Sequence, residues 1–464
     1  MLKKKLITAI TLFSVVVFTI ITPLTVCAEE NEVYWPKGPK VDSASAIVME
    51  ANTGAILYGK KIHVKHYPAS ITKILTTLLA IENCDLAETV TFSHDAVFKT
   101  EGTSIARDVG EKMSLKDTLY AVMLGSANEC AYATAEHVGG DIETFVKMMN
   151  QRAKEIGCED SHFNNPHGLP DEDHYTSAYD MAMISKTALQ NDTFRTITGT
   201  KTYTIPATNI HEEETYLVNH HAMLTFYKTG RYIYEDCIGG KTGYTNAAGN
   251  TLVTFAERNG MTLICVVMKS DGYSHYEDTT KLLDYCFDNY QMLNIAEHDS
   301  TYSMEKVANA LNFSSVTPYL SIDNEACIVL PKTANFSDVT SEVKTDDSRD
   351  DIAGIIEYQY GGKVVGSTDI LINDETIDEY AFGNTQVEEE AEGKKVFEIS
   401  FGKIVMILMV LLLLVGVIYS IIYVRRNIYI ILYSLKRRKQ RKQNEISFKG
   451  KRIRRKKLRP RKKS

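Results

Sequence analysis

Residues 68–80, Pro-Ala-Ser-Ile-Thr-Lys-Ile-Leu-Thr-Thr-Leu-Leu-Ala, constrain this chain more than any other stretch. Proline presets the backbone for a first helical turn, and Ile71, Ile74, Leu75, Leu78 and Leu79 recur with helical period. The spacing predicts a buried helix from about Ala69. Ser70 and Lys73 stand three residues apart, on one face and one turn apart. A serine at a helix start beside an amine is a candidate nucleophile beside its base. A bare S-x-x-K is short, and the same residues serve equally as a cap and a lysine snorkelling to water. The rest of the chain decides between the two.

Charge divides the chain into environments. The net charge is −7, yet residues 425–464 carry 19 Lys or Arg against one acid, Glu445. Residues 29–424 hold 58 acidic and 30 basic residues, a balance that argues against nucleic acid as a partner. Lys3, Lys4 and Lys5 precede an apolar run to Ile21, and Val26-Cys27-Ala28 supplies small residues, so residues 1–28 read as a signal peptide. Residues 404–424 are 21 positions without a charge, long enough to span a bilayer, and Arg425 and Arg426 follow at once. Positive charge marks the cytoplasmic side. The expected protein is therefore single-pass in the cell membrane, with its acidic bulk on the extracytoplasmic side. Its tail, 425–464, is expected in the cytoplasm against anionic lipid. The eight cysteines show no C-x-x-C spacing and read as buried free thiols rather than a zinc or redox site.

Between the ends, residues 45–51 and 55–60 read as strands of a hairpin around Asn52-Thr53-Gly54. Residues 114–124, 131–138, 142–156 and 177–189 read as helices, with Gly139-Gly140 as a stop. The period then changes. Residues 237–245 contain Lys241-Thr242-Gly243, 251–258 alternate like a strand, Asn259-Gly260 is a strong hairpin signal with 261–268 as the partner strand, and 279–290 closes the region as a helix. Strands at both ends with helices between predict an α+β domain over 33–290, one antiparallel sheet with a helical lobe. Short strand-like runs at 317–322, 326–330 and 354–372 predict a small all-β domain over 293–373. Residues 374–400 form an acidic linker, and 373–393 carry eight acids and no base.

Three short motifs stand in order: Ser70-x-x-Lys73, Ser126-x-Asn128 and Lys241-Thr242-Gly243. Together they resemble the motif set of the penicillin-interacting serine acyl-transferases. Met49-Glu50-Ala51-Asn52-Thr53-Gly54 with Tyr67-Pro68-Ala69-Ser70 narrows the resemblance to the D-alanyl-D-alanine carboxypeptidases, the low-molecular-mass penicillin-binding proteins. His162-Phe163-Asn164-Asn165-Pro166-His167-Gly168-Leu169 and Lys241-Thr242-Gly243-Tyr244-Thr245 match the same family. The resemblance implies a β-lactamase/penicillin-binding-protein-like transpeptidase fold acting on peptidoglycan stem peptides, inhibited by β-lactam antibiotics, with no cofactor and no metal. It implies that Ser70 attacks the penultimate D-alanine carbonyl, Lys73 takes its proton, and Ser126 relays a proton to the leaving amine. Asn128 would hold the peptide, Lys241 and Thr242 the substrate carboxylate, and the backbone N–H groups of Ser70 and Tyr244 the oxyanion. One departure stands out. The arginine that commonly helps bind the carboxylate is replaced by His275, so that carboxylate binding is expected to weaken as pH rises through about 7.

Three rivals are weighed against this. A metal hydrolase would use His162, His167 and His174, but no H-E-x-x-H is present and structural hydrogen bonding suits these histidines better. A β-lactamase needs a glutamate to activate the deacylating water, and no E-x-x-L-N-like loop lies between Asn128 and Lys241. A non-catalytic penicillin sensor or wall scaffold would acylate without turnover.

Overall fold

The computed structural model describes residues 35–299, 320–345 and 352–372. The expected signal peptide (1–28), acidic linker (374–400), transmembrane span (404–424) and basic tail (425–464) lie outside the described residues. Among the described residues no helix is long and apolar enough to cross a membrane.

Five antiparallel strands organise the fold. In chain order they are β1 (Ser45–Glu50), β2 (Ile56–Lys60), β7 (Cys237–Thr245), β8 (Gly249–Arg258) and β9 (Met261–Ser270), laid out as β2-β1-β9-β8-β7. The short strands β3 (Thr89–Thr91), β4 (Lys112–Ser114), β5 (Thr202–Ile205) and β6 (Thr215–Val218) form two small hairpins outside this sheet. The β8–β9 turn is the expected one: Asn259 and Gly260 both take positive φ, +52° and +79°. Strand alternation sorts side chains onto two faces. Ile47, Met49, Val253, Phe255, Ile264 and Val266 join the core under the helical lobe. Ala46, Val48, Leu252, Cys265 and Val267 join a second core on the opposite face. β9 is thus buried on both sides, which accounts for its unbroken apolar run.

The lobe holds α1 (Lys73–Asn83), α2 (His94–Phe98), α3 (Leu115–Tyr120), α4 (Asn128–Gly139), α5 (Ile142–Ile156), α6 (Ala178–Leu189) and α7 (Asp192–Gly199). The other face is covered by α8 (Ser274–Asn289), through Leu282, Leu283, Cys286 and Phe287. α8 begins five residues before the expected helix. Helix starts are fixed by local polar chemistry: Ser177, Asp141 and Ser114 each accept a backbone N–H at the head of α6, α5 and α3. α1 is enclosed on all sides through Ala80 rather than on one stripe, so its polar residues need partners. Those partners build the site.

Beyond α8, β10 (Tyr290–Asn294) runs into the short helix α9 (Ile295–His298). Strands β11 (Leu320–Ile322), β12 (Cys327–Pro331), β13 (Thr340–Lys344), β14 (Ile352–Tyr360) and β15 (Lys363–Ile372) follow. Four of them form an antiparallel sheet, β11-β15-β14-β13, while β12 pairs with β10. β10 starts directly at the end of α8, with no linker between. The seven described cysteines are free; Cys130, Cys237, Cys265 and Cys286 are buried, and Cys84, Cys158 and Cys327 are half-buried or partly exposed.

Candidate active site

Ser70 lies on a 3₁₀ turn, Ala69–Thr72, that leads into α1. Ala69 takes a left-handed φ of +53°, a conformation that costs a non-glycine residue about 1–3 kcal/mol and needs outside support. Three contacts supply it. Thr251 Oγ1 on β8 donates to the Pro68 carbonyl at 2.8 Å. Thr72 Oγ1 donates to the Ala69 carbonyl at 2.9 Å. Gly168, at φ +89°, lies so close that a Cβ there would stand 1.9 Å from the same oxygen.

His174 holds this arrangement from behind. The Asn164 N–H donates to Nδ1 at 2.9 Å, so the ring proton belongs on Nε2, which faces Thr72 Oγ1 at 3.0 Å. Burial lowers the His174 pKa to about 3, and the neutral ring carries one fixed tautomer at working pH. His162 is bonded instead through Nδ1 to the Asp173 carbonyl, at 2.5 Å. His167 is buried, with its pKa also lowered to about 3 by desolvation. His162 and His174 are bonded within the loop, and the three histidines bring no set of three ligand atoms together among the described residues.

Lys73 is completely buried, with Nζ 3.0 Å from Ser70 Oγ, 2.7 Å from Asn128 Oδ1 and 2.8 Å from the His167 carbonyl. The last two partners can only accept. A neutral amine that gives its two protons to them turns its lone pair toward Ser70, whose hydroxyl then donates. Burial pushes the Lys73 pKa well below the ordinary lysine range, and the neighbouring Lys241 charge pushes it further. Asn128 is oriented by its own amide, since Nδ2 donates to the Glu101 carbonyl. Glu129, whose charge opposes the downward shift of Lys73, accepts from Ser104 Oγ and the Ile105 N–H at 2.8 and 2.7 Å.

Ser126 reaches the cleft because α3 ends in a π-helical turn, Ala121–Gly125, after which Ser126 takes φ +59°. Single π turns recur at functional sites, where they re-aim the next residues of the chain. The Ser126 hydroxyl accepts from Lys241 Nζ at 2.9 Å, and Lys241 also donates to the Thr242 carbonyl at 2.9 Å. Lys241 projects from β7, the edge strand, whose Gly243 packs against the catalytic turn: a Cβ there would stand 2.9 Å from the Ser70 nitrogen. Thr242 is half-buried and the Tyr244 side chain is exposed on the same strand. Burial lowers the Lys241 pKa to about 7.

Six expected residues therefore meet: Ser70, Lys73, Ser126, Asn128, Lys241 and, along β7, Thr242. His275 makes no side-chain hydrogen bond to any of them, and its Nδ1 is buried without a hydrogen-bond partner among the described residues. It is buried near the start of α8, its ring 4.0 Å from Tyr276, and burial lowers its pKa to about 4. The expectation that it titrates near pH 7 is corrected, because a desolvated imidazole resists protonation. One group among the described residues, Cys84, Glu88 and His137, brings three metal-ligating atoms within 4.8 Å. It lies at the far end of α4, about 14 Å along the helix from Asn128, outside the cleft.

The family model for D-alanyl-D-alanine carboxypeptidase (peptidase S11) matches residues 32–272. The chain belongs to this family. The carboxypeptidase is 33% identical to D-alanyl-D-alanine carboxypeptidase DacF of Bacillus subtilis over 314 residues, 66% of this chain and 77% of that relative. Its fold resembles a mutant of the Streptomyces K15 DD-transpeptidase, with a TM-score of 0.51 and 28% identity, covering 54% of this chain and 99% of that one. It also resembles penicillin binding protein 5 of Haemophilus influenzae in fold, with a TM-score of 0.57 at 24% identity, covering 73% and 98%.

Two buried amines in one cleft predict a pH dependence for the expected roles. A base at Lys73 would act as the neutral amine, so its lowered pKa would carry the acid limb of kcat/KM well below the usual lysine range. If Lys241 binds the substrate carboxylate it does so only while charged, and burial lowers its pKa to about 7. For the carboxypeptidase, kcat/KM on a peptide with a free C-terminal carboxylate is expected to fall above that point. Lys241→Arg keeps its charge and should move the alkaline limb upward. Profiles from pH 5 to 10 with superimposable alkaline limbs in both proteins would refute this assignment.

Proposed function

We propose that Ser70, Lys73 and Ser126 carry the reaction and that Asn128, Lys241, Thr242 and Tyr244 hold the substrate. The enzyme is a serine-type D-Ala-D-Ala carboxypeptidase of peptidoglycan stem peptides, and it binds penicillin. Ser70 Oγ attacks the penultimate D-alanine carbonyl as its proton passes to Lys73 Nζ. The oxyanion gathers against the Ser70 N–H and the edge of β7 at Tyr244, and Lys241 meets the terminal carboxylate. As the C–N bond breaks, Ser126 hands its proton to the departing amine and is reprotonated from the lysine network. Water then hydrolyses the acyl-enzyme, returning a proton to Ser70. The observation that carries this reading is the three-partner geometry of Lys73, which leaves its lone pair for Ser70 alone.

The same reading extends to topology. A signal at 1–28 exports the chain, 404–424 anchors it, and 425–464 lies in the cytoplasm on anionic lipid. The sheet β11-β15-β14-β13 and the acidic linker act as a small β-domain and spacer that hold the cleft away from the bilayer. The charge distribution supports this arrangement.

Incubating the enzyme with a pentapeptide ending in D-Ala-D-Ala should release free D-alanine, and penicillin should add its mass to the peptide bearing Ser70. Labelling without release would favour a sensor. An adduct elsewhere would overturn the assignment of Ser70.

A further inference from the structure

A pocket of about 290 Å³ lies beside the catalytic turn. Lys65 and Tyr67 line it just before Ser70, Glu172 and Tyr175 line it from the loop that carries Gly168, and Ala247, Ala248 and Lys269 close it. Lys65 Nζ stands 4.5 Å over the Tyr175 ring. Lys269 enters from a β-bulge: it takes a left-handed φ of +54°, where the β8–β9 register shifts between Asn250 and Leu252. A bulge re-aims a side chain, and a strained non-glycine residue points to a function at its position. Both lysines and Glu172 are exposed, and none has an ion-pair partner within 4.0 Å among the described residues. Lys269 and Lys61 reinforce burial in lowering the pKa of His66 at the pocket wall. Two unpaired cations and one unpaired anion thus converge on one cavity.

The direction of β7 says what reaches it. A substrate with its carboxylate at Lys241 and its scissile carbonyl at Ser70 and Tyr244 runs its earlier residues toward Thr245. The strand then turns through Ala247 and Ala248, which line the pocket. An extended peptide advances about 3.3 Å per residue, so the residue before the penultimate D-alanine sits one step past Tyr244, beside the opening.

We propose that this pocket is the subsite for the side chain of the third stem-peptide residue, and that it selects a side chain ending in an amino-acid head, carboxylate and ammonium together, over a simple amine. The carboxylate meets Lys65 and Lys269, the ammonium meets Glu172, and the methylenes lie along Tyr67. A lone amine faces two lysines and one glutamate, a net repulsion. A lone carboxylate meets the two lysines but leaves Glu172 without a partner. Only the paired head matches all three charges. This inference rests on the carboxypeptidase reading.

The test uses two pentapeptides, L-Ala-γ-D-Glu-X-D-Ala-D-Ala, with X either diaminopimelate or lysine, and follows D-alanine release. The active fraction of each preparation is fixed by titration with fluorescent penicillin, so that misfolded protein does not enter the rates. The wild type should prefer the diaminopimelate peptide by about tenfold in kcat/KM, mainly through KM. In the double variant Lys65→Gln, Lys269→Gln the ratio should fall to near one. Equal rates on both peptides in the wild type overturn the proposal, as does a preference that survives in the double variant. No release from either peptide overturns the carboxypeptidase reading and this inference with it. Release from both without discrimination overturns the inference alone.

Discussion

Lys73→Arg is expected to slow acylation of Ser70 by penicillin by about three orders of magnitude, within the range that a positioned general base contributes. The substitution supplies a fixed positive charge and keeps much of the length, so it separates a charge requirement from a base requirement. A guanidinium does not deprotonate in water or in protein, and it offers no lone pair to a hydroxyl. The native amine differs on both counts. Its burial and the Lys241 charge disfavour protonation, and two of its three partners accept only. If Lys73 served merely as a cation that anchors Asn128 and the His167 carbonyl, arginine would serve nearly as well. The rate constant for acylation by fluorescent penicillin, read over time for both proteins, decides it. A rate in Lys73→Arg within tenfold of the wild type would remove Lys73 from the role of base. A normal rate that appears only at high pH would be equally damaging, since arginine has no neutral form to recruit.

The same lysine shows where sequence reasoning reaches and where it stops. Ser70 and Lys73 announce themselves by helical spacing, and Ser126, Asn128, Lys241 and Thr242 by short motifs whose order carries information. Strands β8 and β9 are legible from the alternation of residues 251–258 and from Asn259-Gly260, and α5 from its apolar period and flanking glycines. The features that stay hidden depend on distance through space. That α1 is enclosed on every side comes from packing against α4, α5, α6, α7 and the π-helical turn, none of which a linear window sees. The His167 carbonyl that fixes Lys73 is a backbone atom, and no residue type marks it. His174 reads in the sequence as a polar loop residue; its link to Ala69 through Thr72 exists only once residues 72 and 174 are neighbours. The π-helical turn before Ser126 breaks the period that predicts residues 114–124 as one helix. His275 misleads for the converse reason. Its position in the chain suggests a charge in the cleft, but burial on α8 overrides the intrinsic imidazole pKa. The hairpins β3–β4 and β5–β6 escape notice because strands of three and four residues hold too few positions for a period to show.

Gly168→Ala should remove most activity without unfolding the protein. The glycine sits at φ +89°, and a Cβ there would lie 1.9 Å from the Ala69 oxygen, 2.4 Å from its carbonyl carbon and 3.0 Å from the Ser70 nitrogen. All three are backbone atoms, so no side-chain rotation relieves the overlap. Either the 160s loop retreats or the Ala69–Ser70 peptide moves. Retreat of the loop carries the His167 carbonyl away from Lys73 Nζ, now 2.8 Å apart. Movement of the peptide displaces the Ser70 hydroxyl and its N–H together. Either route shifts reacting groups by about 1 Å, a displacement that can cost about 100-fold in rate. The left-handed φ adds about 1–2 kcal/mol of strain, which should lower the melting temperature by a few degrees and leave a cooperative transition. Gly110, at φ +81° with no atom within 4 Å of an added Cβ, is the control for backbone strain alone. Gly110→Ala should show a similar loss of stability with near-normal D-alanine release. If both variants lose stability equally and both retain activity, the contact between Gly168 and the catalytic turn does not hold Ser70 in place.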